Sequence, residues 1–364
     1  MGEIKGQWLE EEQKLEILAI VAQAKQEGLT ISRTSLFWRI NRRRVFRWRT
    51  KKDSGQSLKN LKPGPRSPAH RLLPEEVGAV LQMAVKEEYA DLSHRTLAVT
   101  AWDLKVFFVS FSSVYRILVS EGLMSMRGRQ SRHNGNSVPP VRKELTGPNQ
   151  RWCWDISYLL THEKGLYLYL YLLLDEFSRK AVSWLISWHQ TADEAKCLLD
   201  QGLANENILD LPEEERPEVF NDRGRQMKAK KIKDMFEDHK MPQIFSRPRT
   251  PNDNPFVESA FSTIKGAPQY PGQFLDLENA YDYFVTFFVW YNKVHLHSGI
   301  DYVTPEQCHL GLRDEIVARR RTDLINQQHF RKEVNRQNQN ILTANAKPVT
   351  LNLNQQTPCS VINL

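Results

Sequence analysis

Cysteine is scarce and scattered. Cys153, Cys197, Cys308 and Cys359 stand alone, without the paired spacings of a zinc site or a disulfide framework, and are expected to be reduced thiols. Long hydrophobic runs are lacking as well: the longest, Leu166 to Leu174, has nine residues. That is the length of a strand and too short to span a bilayer. The N-terminal stretch alternates charged and polar residues instead of presenting an apolar segment, so no signal peptide is expected and no membrane contact. What is present is enough apolar material, 40% of the 364 residues, to build two or three folded domains.

Charge is unevenly distributed. Residues 1–150 hold 25 Lys and Arg against 15 Asp and Glu, residues 151–312 hold 17 against 24, and residues 313–364 hold 8 against 4. A basic front and tail around an acidic middle point to nucleic-acid-binding arms flanking a centre that needs cations.

In the basic front, apolar residues at helical spacing (Leu15, Leu18, Ala19, Ala22) predict a first helix over 11–26 that ends near Gly28. Thr30 and Ser32 can cap a short second helix over 33–38, and a third follows over 41–50. This makes a helix-turn-helix domain over 1–54. Its third helix presents Arg42, Arg43, Arg44, Arg47 and Arg49, suited to guanine edges and phosphates in a major groove, with Trp38, Val45, Phe46 and Trp48 expected on its packing side. Residues 55–69, with Gly64 between two prolines, read as an extended linker. A second helix-turn-helix domain is expected over 70–126, with helices over 74–88, 93–104 and from Ser110 to before Gly122. Its last helix carries Ser112, Ser113, Tyr115 and Arg116 as candidate phosphate contacts. Residues 127–150, with Arg127, Arg129, Arg132, Arg142 and Lys143, form a basic linker.

From residue 151 the pattern changes to strands and then alternating helices and strands, which gives an α/β domain with a mixed sheet over 151–312. Strands are expected over 152–159, 166–174, 180–187, 218–221 and 242–246, with helices over 191–203, 227–239 and 277–292. In the first strand Trp152, Trp154, Ile156 and Tyr158 alternate with Cys153, Asp155 and Ser157, so one face carries an acid. Three acids stand in distinctive contexts: Trp154-Asp155-Ile156-Ser157, Asn221-Asp222-Arg223-Gly224, and Asn254-Pro255-Phe256-Val257-Glu258-Ser259. Between Asp222 and Glu258 lie 35 residues, and Lys265 follows Glu258 by two helical turns. Asp253 and Asp175 are expected to serve turns rather than the site.

These residues carry a resemblance. The chain resembles bacterial insertion-sequence transposases with a retroviral-integrase-type catalytic core, the Asp-Asp-Glu class. The words Asp175-Glu176-Phe177-Ser178-Arg179, Phe261-Ser262-Thr263-Ile264-Lys265, Tyr291-Asn292, His297-Ser298-Gly299 and Thr304-Pro305 extend the match over roughly 151–312. The resemblance implies a ribonuclease H-like core behind two all-α helix-turn-helix domains. It implies a catalytic and metal-binding triad of Asp155, Asp222 and Glu258 around two Mg2+ ions, for which Mn2+ substitutes, with Asp155 bridging. The implied activity is hydrolysis at the ends of an insertion sequence followed by attack of the freed 3′-hydroxyl, on double-stranded DNA, by a homodimer or larger assembly in the bacterial cytoplasm at the nucleoid. Lys265, Arg247, Arg249 and Asn254 are further candidate DNA contacts. Integrases of retroviral type carry a His-His-Cys-Cys zinc module before the core, but here the first cysteine already lies in the first core strand. His295 and His297 are expected to pack locally. A non-catalytic DNA-binding regulator is the alternative reading, and a ribonuclease H-like nuclease a further one. The tail over 313–364 is read as basic, helical from Arg319, with an edge-strand pattern at Pro348 to Leu353.

Overall fold

The structure is a computed structural model that describes residues 8–60, 68–124, 144–222, 224–246 and 254–345. The chain divides into two compact units, residues 1–68 and 69–364.

The first unit is a three-helix cluster: α1 (Glu11–Gln26), α2 (Ile31–Phe37) and α3 (Arg42–Asp53). Leu9, Ile17, Leu18, Val21, Ile40, Val45 and Leu58 form its core. Thr30 caps α2 by accepting from Arg33 N, and Asn41 caps α3 by accepting from Arg43 N. Two sequence expectations change here. Phe46 is 46% exposed instead of packing. Residues 57–60, expected in a linker, are docked: Leu58 is buried, Lys14 Nζ donates to its carbonyl at 2.7 Å, and Glu11 accepts from Leu58 N and Ser57 Oγ.

The second unit begins with α4 (Pro74–Ala84), α5 (His94–Asp103) and α6 (Phe111–Ser120), packed around Val80, Leu97, Val99, Trp102, Val109 and Val114. Ser93 caps α5 by accepting from Thr96 N. The mixed sheet follows, built from β1 (Arg151–Thr161), β2 (Tyr167–Asp175), β3 (Ala181–Ser187), β4 (Glu218–Asn221), β5 (Gln243–Phe245) and the short β6 (Gln273–Phe274). Its order is β3-β2-β1-β4-β5, with β6 also on β1. The β1–β2 and β2–β3 pairs are antiparallel; β1–β4, β4–β5 and β1–β6 are parallel.

Both faces of this sheet are buried. On one, α7 (Ala192–Asn205) and α8 (Lys230–Asp238) cover Trp152, Trp154, Tyr171, Leu173 and Val219. On the other, α9 (Pro255–Lys265) and α10 (Leu277–Lys293) cover Cys153, Leu159, Leu170, Leu172 and Phe220. Helices on both faces of a mixed sheet in this order make the ribonuclease H-like arrangement. After α10 come a short α11 (Pro305–His309) and a long α12 (Arg313–Asn345). The tail is therefore helical six residues earlier than expected, and its Asn- and Gln-rich part is helical to Asn345. The Pro348-to-Leu353 pattern and the basic residues Arg127, Arg129, Arg132, Arg142 and Lys143 lie outside the described residues. No helix among the described residues is long and apolar enough to cross a membrane.

The residues of the Asp175-to-Arg179 word knit the sheet to its surroundings. Asp175, fully buried, accepts from Ser178 N and Ser178 Oγ, both at 2.7 Å, and from Asn149 N at 2.8 Å. Ser178 Oγ meets His309 Nδ1 at 3.0 Å, and His309 Nε2 meets Glu206 at 2.8 Å, which ties α11 to the end of α7. Burial alone would raise the Glu206 carboxyl, but hydrogen bonds from His309, Lys180 and Asn149 outweigh it and bring it down to about 2.

Helix α7 reaches the sheet through Gly202. A Cβ there would collide with Leu173 Cδ2 and lie 3.3 Å from Ser183 Oγ. Gly202→Ala should therefore destabilise the protein by about 1–3 kcal/mol, read as a lower melting temperature, despite the better helix propensity of alanine.

Candidate active site

The site follows from how β1 and β4 part. Their ladder runs Arg151–Glu218, Trp152–Val219, Cys153–Phe220 and stops there. On that edge of β1 pairing resumes only at Leu160, with β6. Asp155 lies two residues beyond Cys153, and Asp222 two residues beyond Phe220. With a side-chain period of two, each acid continues the face of the paired residue before it. Cys153 and Phe220 both belong to the face covered by α9, whose Val257, Ala260, Phe261 and Ile264 are buried against it. Glu258 is on the exposed side of the first turn of α9. The acids lie past the carboxyl end of β4, where it parts from the continuing β1, and such a parting of parallel neighbours is where α/β sheets hold ligands.

The carboxyl groups sense one another. Burial, aided by the charges of Asp222 and Glu258, pushes Asp155 up to about 7, against a lowering hydrogen bond from Ile156 N. Burial also raises Glu258. The side chains are held from below: Asp155 Oδ1 accepts from Ile156 N at 2.8 Å, and Asp222 Oδ1 accepts from Gly224 N at 2.8 Å. Gly224 gives that second contact its room, since a Cβ there would stand 3.0 Å from Asp222 Oδ1.

Oxygen-only ligands of this charge fit a hard cation such as Mg2+. Asn254 adds to the fit: it is 5% exposed at the N-cap of α9, its amide lies 3.5 Å from the Trp154 carbonyl, and its Oδ1 is buried with no hydrogen-bond partner among the described residues. The acids are not closed into a cage. Among the described residues no three His, Cys, Asp or Glu side chains are close enough together to enclose a metal ion. Two of them instead accept from backbone N–H groups, Asp155 from Ile156 and Asp222 from Gly224.

Residues 146–251 match the model of an integrase core domain, and residues 239–305 match a second model of the same description. The region from 146 to 305 is an integrase core domain. The chain is 28% identical over 168 residues to the transposase of insertion sequence IS904 from Lactococcus lactis, covering 45% of this chain and 62% of that one. It is 30% identical over 170 residues to transposase InsF of insertion sequence IS3A from Escherichia coli K12, covering 44% of this chain and 54% of that one. The chain thus spans less than two thirds of the length of these relatives. Among solved structures, the HTLV-2 integrase catalytic core domain in complex with magnesium aligns at TM-score 0.33 and 17% identity, over 45% of this chain and 97% of that one.

Around the integrase core, Lys265 is exposed at the end of α9. Asn254, expected as a DNA contact, is buried against β1. Arg247, Arg249 and Asp253 lie outside the described residues. On α3, Arg42, Arg43, Arg47 and Arg49 are exposed, while Arg44 lies 5.0 Å over Trp48 and Arg49 pairs with Asp53 at 3.6 Å. On α6, Ser112, Tyr115 and Arg116 are exposed; Ser113 is half-buried and accepts from Arg116 at 3.0 Å.

Sequence reading missed the supports. Arg179, at φ +66, lays its guanidinium 3.7 Å from the ring centre of Phe256, two residues before Glu258, and so props the first turn of α9. Asn292 exchanges two hydrogen bonds with the backbone of Ala181 at the start of β3. His295 stacks on Tyr291, and burial pushes His295 and His297 down to about 4, so both pack as neutral rings.

Because Asp155 is raised above its unfolded value of 3.8, the fold is favoured at low pH and loses that advantage as pH rises to about 7. Asp155→Asn should therefore melt above the wild type at pH 8 without divalent metal, by about 1–3 kcal/mol. The gap should close toward pH 4 in a paired melting series.

Proposed function

We propose that the chain is a DNA transposase that binds the ends of an insertion sequence and cuts and joins phosphodiesters at Asp155, Asp222 and Glu258. The observation that carries this reading is the matched position of Asp155 and Asp222, each two residues past the last β1–β4 pair and facing the helix of Glu258. That all three sit in an integrase core supports it. Two Mg2+ ions, or Mn2+ in their place, would supply positive charge for the attacking and leaving oxygens of phosphodiester transfer. Asp155 would hold both, Asp222 and Glu258 one each.

The chain's own residues do the rest. Asp155 is held by the Ile156 N–H and by a strand paired at this position to β2, with its other edge anchored at Cys153 and Leu160. Arg179 steadies the helix turn of Glu258 through Phe256. Lys265, on the same helical face, approaches a DNA phosphate as a point charge. Asn254 Oδ1, the buried acceptor beside β1, is available to orient a proton-bearing ligand at the crevice.

Duplex recognition falls to the two three-helix clusters, read as helix-turn-helix units, with α3 in a major groove and α6 on a second stretch. Linked units bind a long site more tightly than either alone. Each end of the element needs one such site, so the working form is a homodimer or larger assembly on paired ends.

Asp155→Asn should lower the rate of cutting of DNA bearing the element's ends in Mg2+ by on the order of 1000-fold or more, with end binding nearly unchanged in a gel-shift assay. Cutting at the wild-type rate would displace the site from Asp155. The pair Arg43→Ala and Arg47→Ala should weaken end binding and reduce the slope of log affinity against log salt by about two. An unaltered slope would remove α3 from the phosphate contacts.

A further inference from the structure

The second three-helix cluster is bolted to the integrase core by α12. In its first turns Ile316 is buried with Ile300, Val303 and Cys308 of the core's last segment. Further along, Arg320 holds Asp103 of α5 in a two-point ion pair, at 2.9 and 2.5 Å, while donating to the carbonyls of Asp301 and Tyr302. Arg331 pairs with both oxygens of Glu76 on α4 at 2.8 Å and also donates to the Phe108 carbonyl. Gln327 donates to the same Glu76, and Asn335 donates to the carbonyls of Ala69 and Arg71. Both arginine side chains are nearly buried, 6% and 9% exposed. For Arg331–Glu76, nearly buried on both sides, removing one partner is costly because the other charge stays behind; Asp103 is 32% exposed and also 3.6 Å from Arg319, so its pair with Arg320 acts mainly by fixing geometry. Such contacts favour one arrangement of cluster and core over all others.

We infer that α12 is a strut that sets the distance between the DNA-reading cluster and the acidic site, so that the position of the cut relative to the recognised sequence is fixed by Arg320–Asp103 and Arg331–Glu76. Glu76, Asp103, Arg320 and Arg331 are positioning residues: none faces the acids of the crevice. The claim rests on the proposed function, since it needs α4–α6 to hold DNA and the triad to cut it. The scale is what makes the strut matter. One base pair advances roughly 3.4 Å along the duplex, so a cluster that shifts by one helical rise or two against the core moves the cut to a neighbouring phosphodiester.

The test uses the full chain with Arg320→Ala and Arg331→Ala combined. Spin labels on the exposed Cys197 and on a Val119→Cys substitution, in a Cys359→Ser background, report the distance between core and cluster. The cut positions are mapped on a duplex bearing the element's end in Mg2+. A narrow distance distribution and one cut position in the wild type, against a broad distribution and cuts spread over adjacent phosphodiesters in the variant, is the expected result. A distribution that stays narrow, or a cut that stays single, overturns the strut. Should the arginine variant fail to fold, Gln327→Ala with Asn335→Ala loosens the same contacts without stranding a buried charge and is read the same way. Failure of the underlying transposase reading shows separately, as a wild type that cuts no end-bearing duplex; failure of the strut shows in the variants alone.

Discussion

Burial of an acid beside two others is the constraint on which the site depends: Asp155 is raised first by burial and then by the charges of Asp222 and Glu258. Charges of one sign gather only where the backbone leaves them no alternative, and here the backbone is β1, paired along its whole length to β2 and at each end of its other edge to β4 and β6. The parting of β1 and β4 places Asp155 and Asp222 as neighbours without a ladder between them. The stability forgone appears in the high titration point of Asp155 and in the absence, among the described residues, of an ion pair to any of the three acids. Elsewhere in the same unit acids are neutralised: Glu206 by Lys180 and His309, Glu76 by Arg331, Asp103 by Arg320. Those pairs fasten elements together, whereas the carboxylates of Asp155 and Asp222 accept from backbone N–H groups.

Supports fasten the elements that carry the site and their neighbours. Arg179 holds the start of α9, Asn292 ties α10 to the head of β3, and the Asp175–Ser178–His309–Glu206 chain fastens α11 to α7. Groups that carry chemistry need neighbours whose own conformations are fixed. Several residues of the short words flanking the triad in the sequence, Asp175, Ser178, Arg179 and Asn292 among them, are these neighbours and hold structure together.

Much of this was legible in the residues. Alternation in 152–159 gave the strand and the face of Asp155, and the order and spacing of the acids gave the family resemblance. Thr30, expected as a cap, does cap α2, and Asn41 and Ser93, read only as helix starts, cap α3 and α5; Ser110, expected to cap α6, stands at its N-cap but makes no side-chain cap bond. Other features were hidden for definite reasons. β6 has two residues, too few for any period to register. Phe46 shares the helical spacing of the packing residues, and only the angle at which α1 and α2 meet α3 decides that it faces out. Leu58 sits among Ser, Gly and Lys, where composition suggests solvent, yet Lys14 and Glu11 capture its backbone. The tail is the largest omission. Arg320 and Arg331 look like solvated charges along a polar helix, and their burial depends on Asp103 and Glu76 more than 200 positions away.

The two-sided pinning of β1 bears on how this sequence can vary in length. A residue gained or lost between Cys153 and Asp155 would turn Asp155 toward Trp154's side of the sheet, among Leu198 and Phe236, and strand its charge in oil, and one between Asp155 and Leu160 would throw off the pairing with β6. The hairpin over 162–166 has no such frame to keep, because β2 pairs afresh after it. Insertions and deletions can therefore accumulate at that bend while the eight positions before it stay locked in count, whatever their identities become.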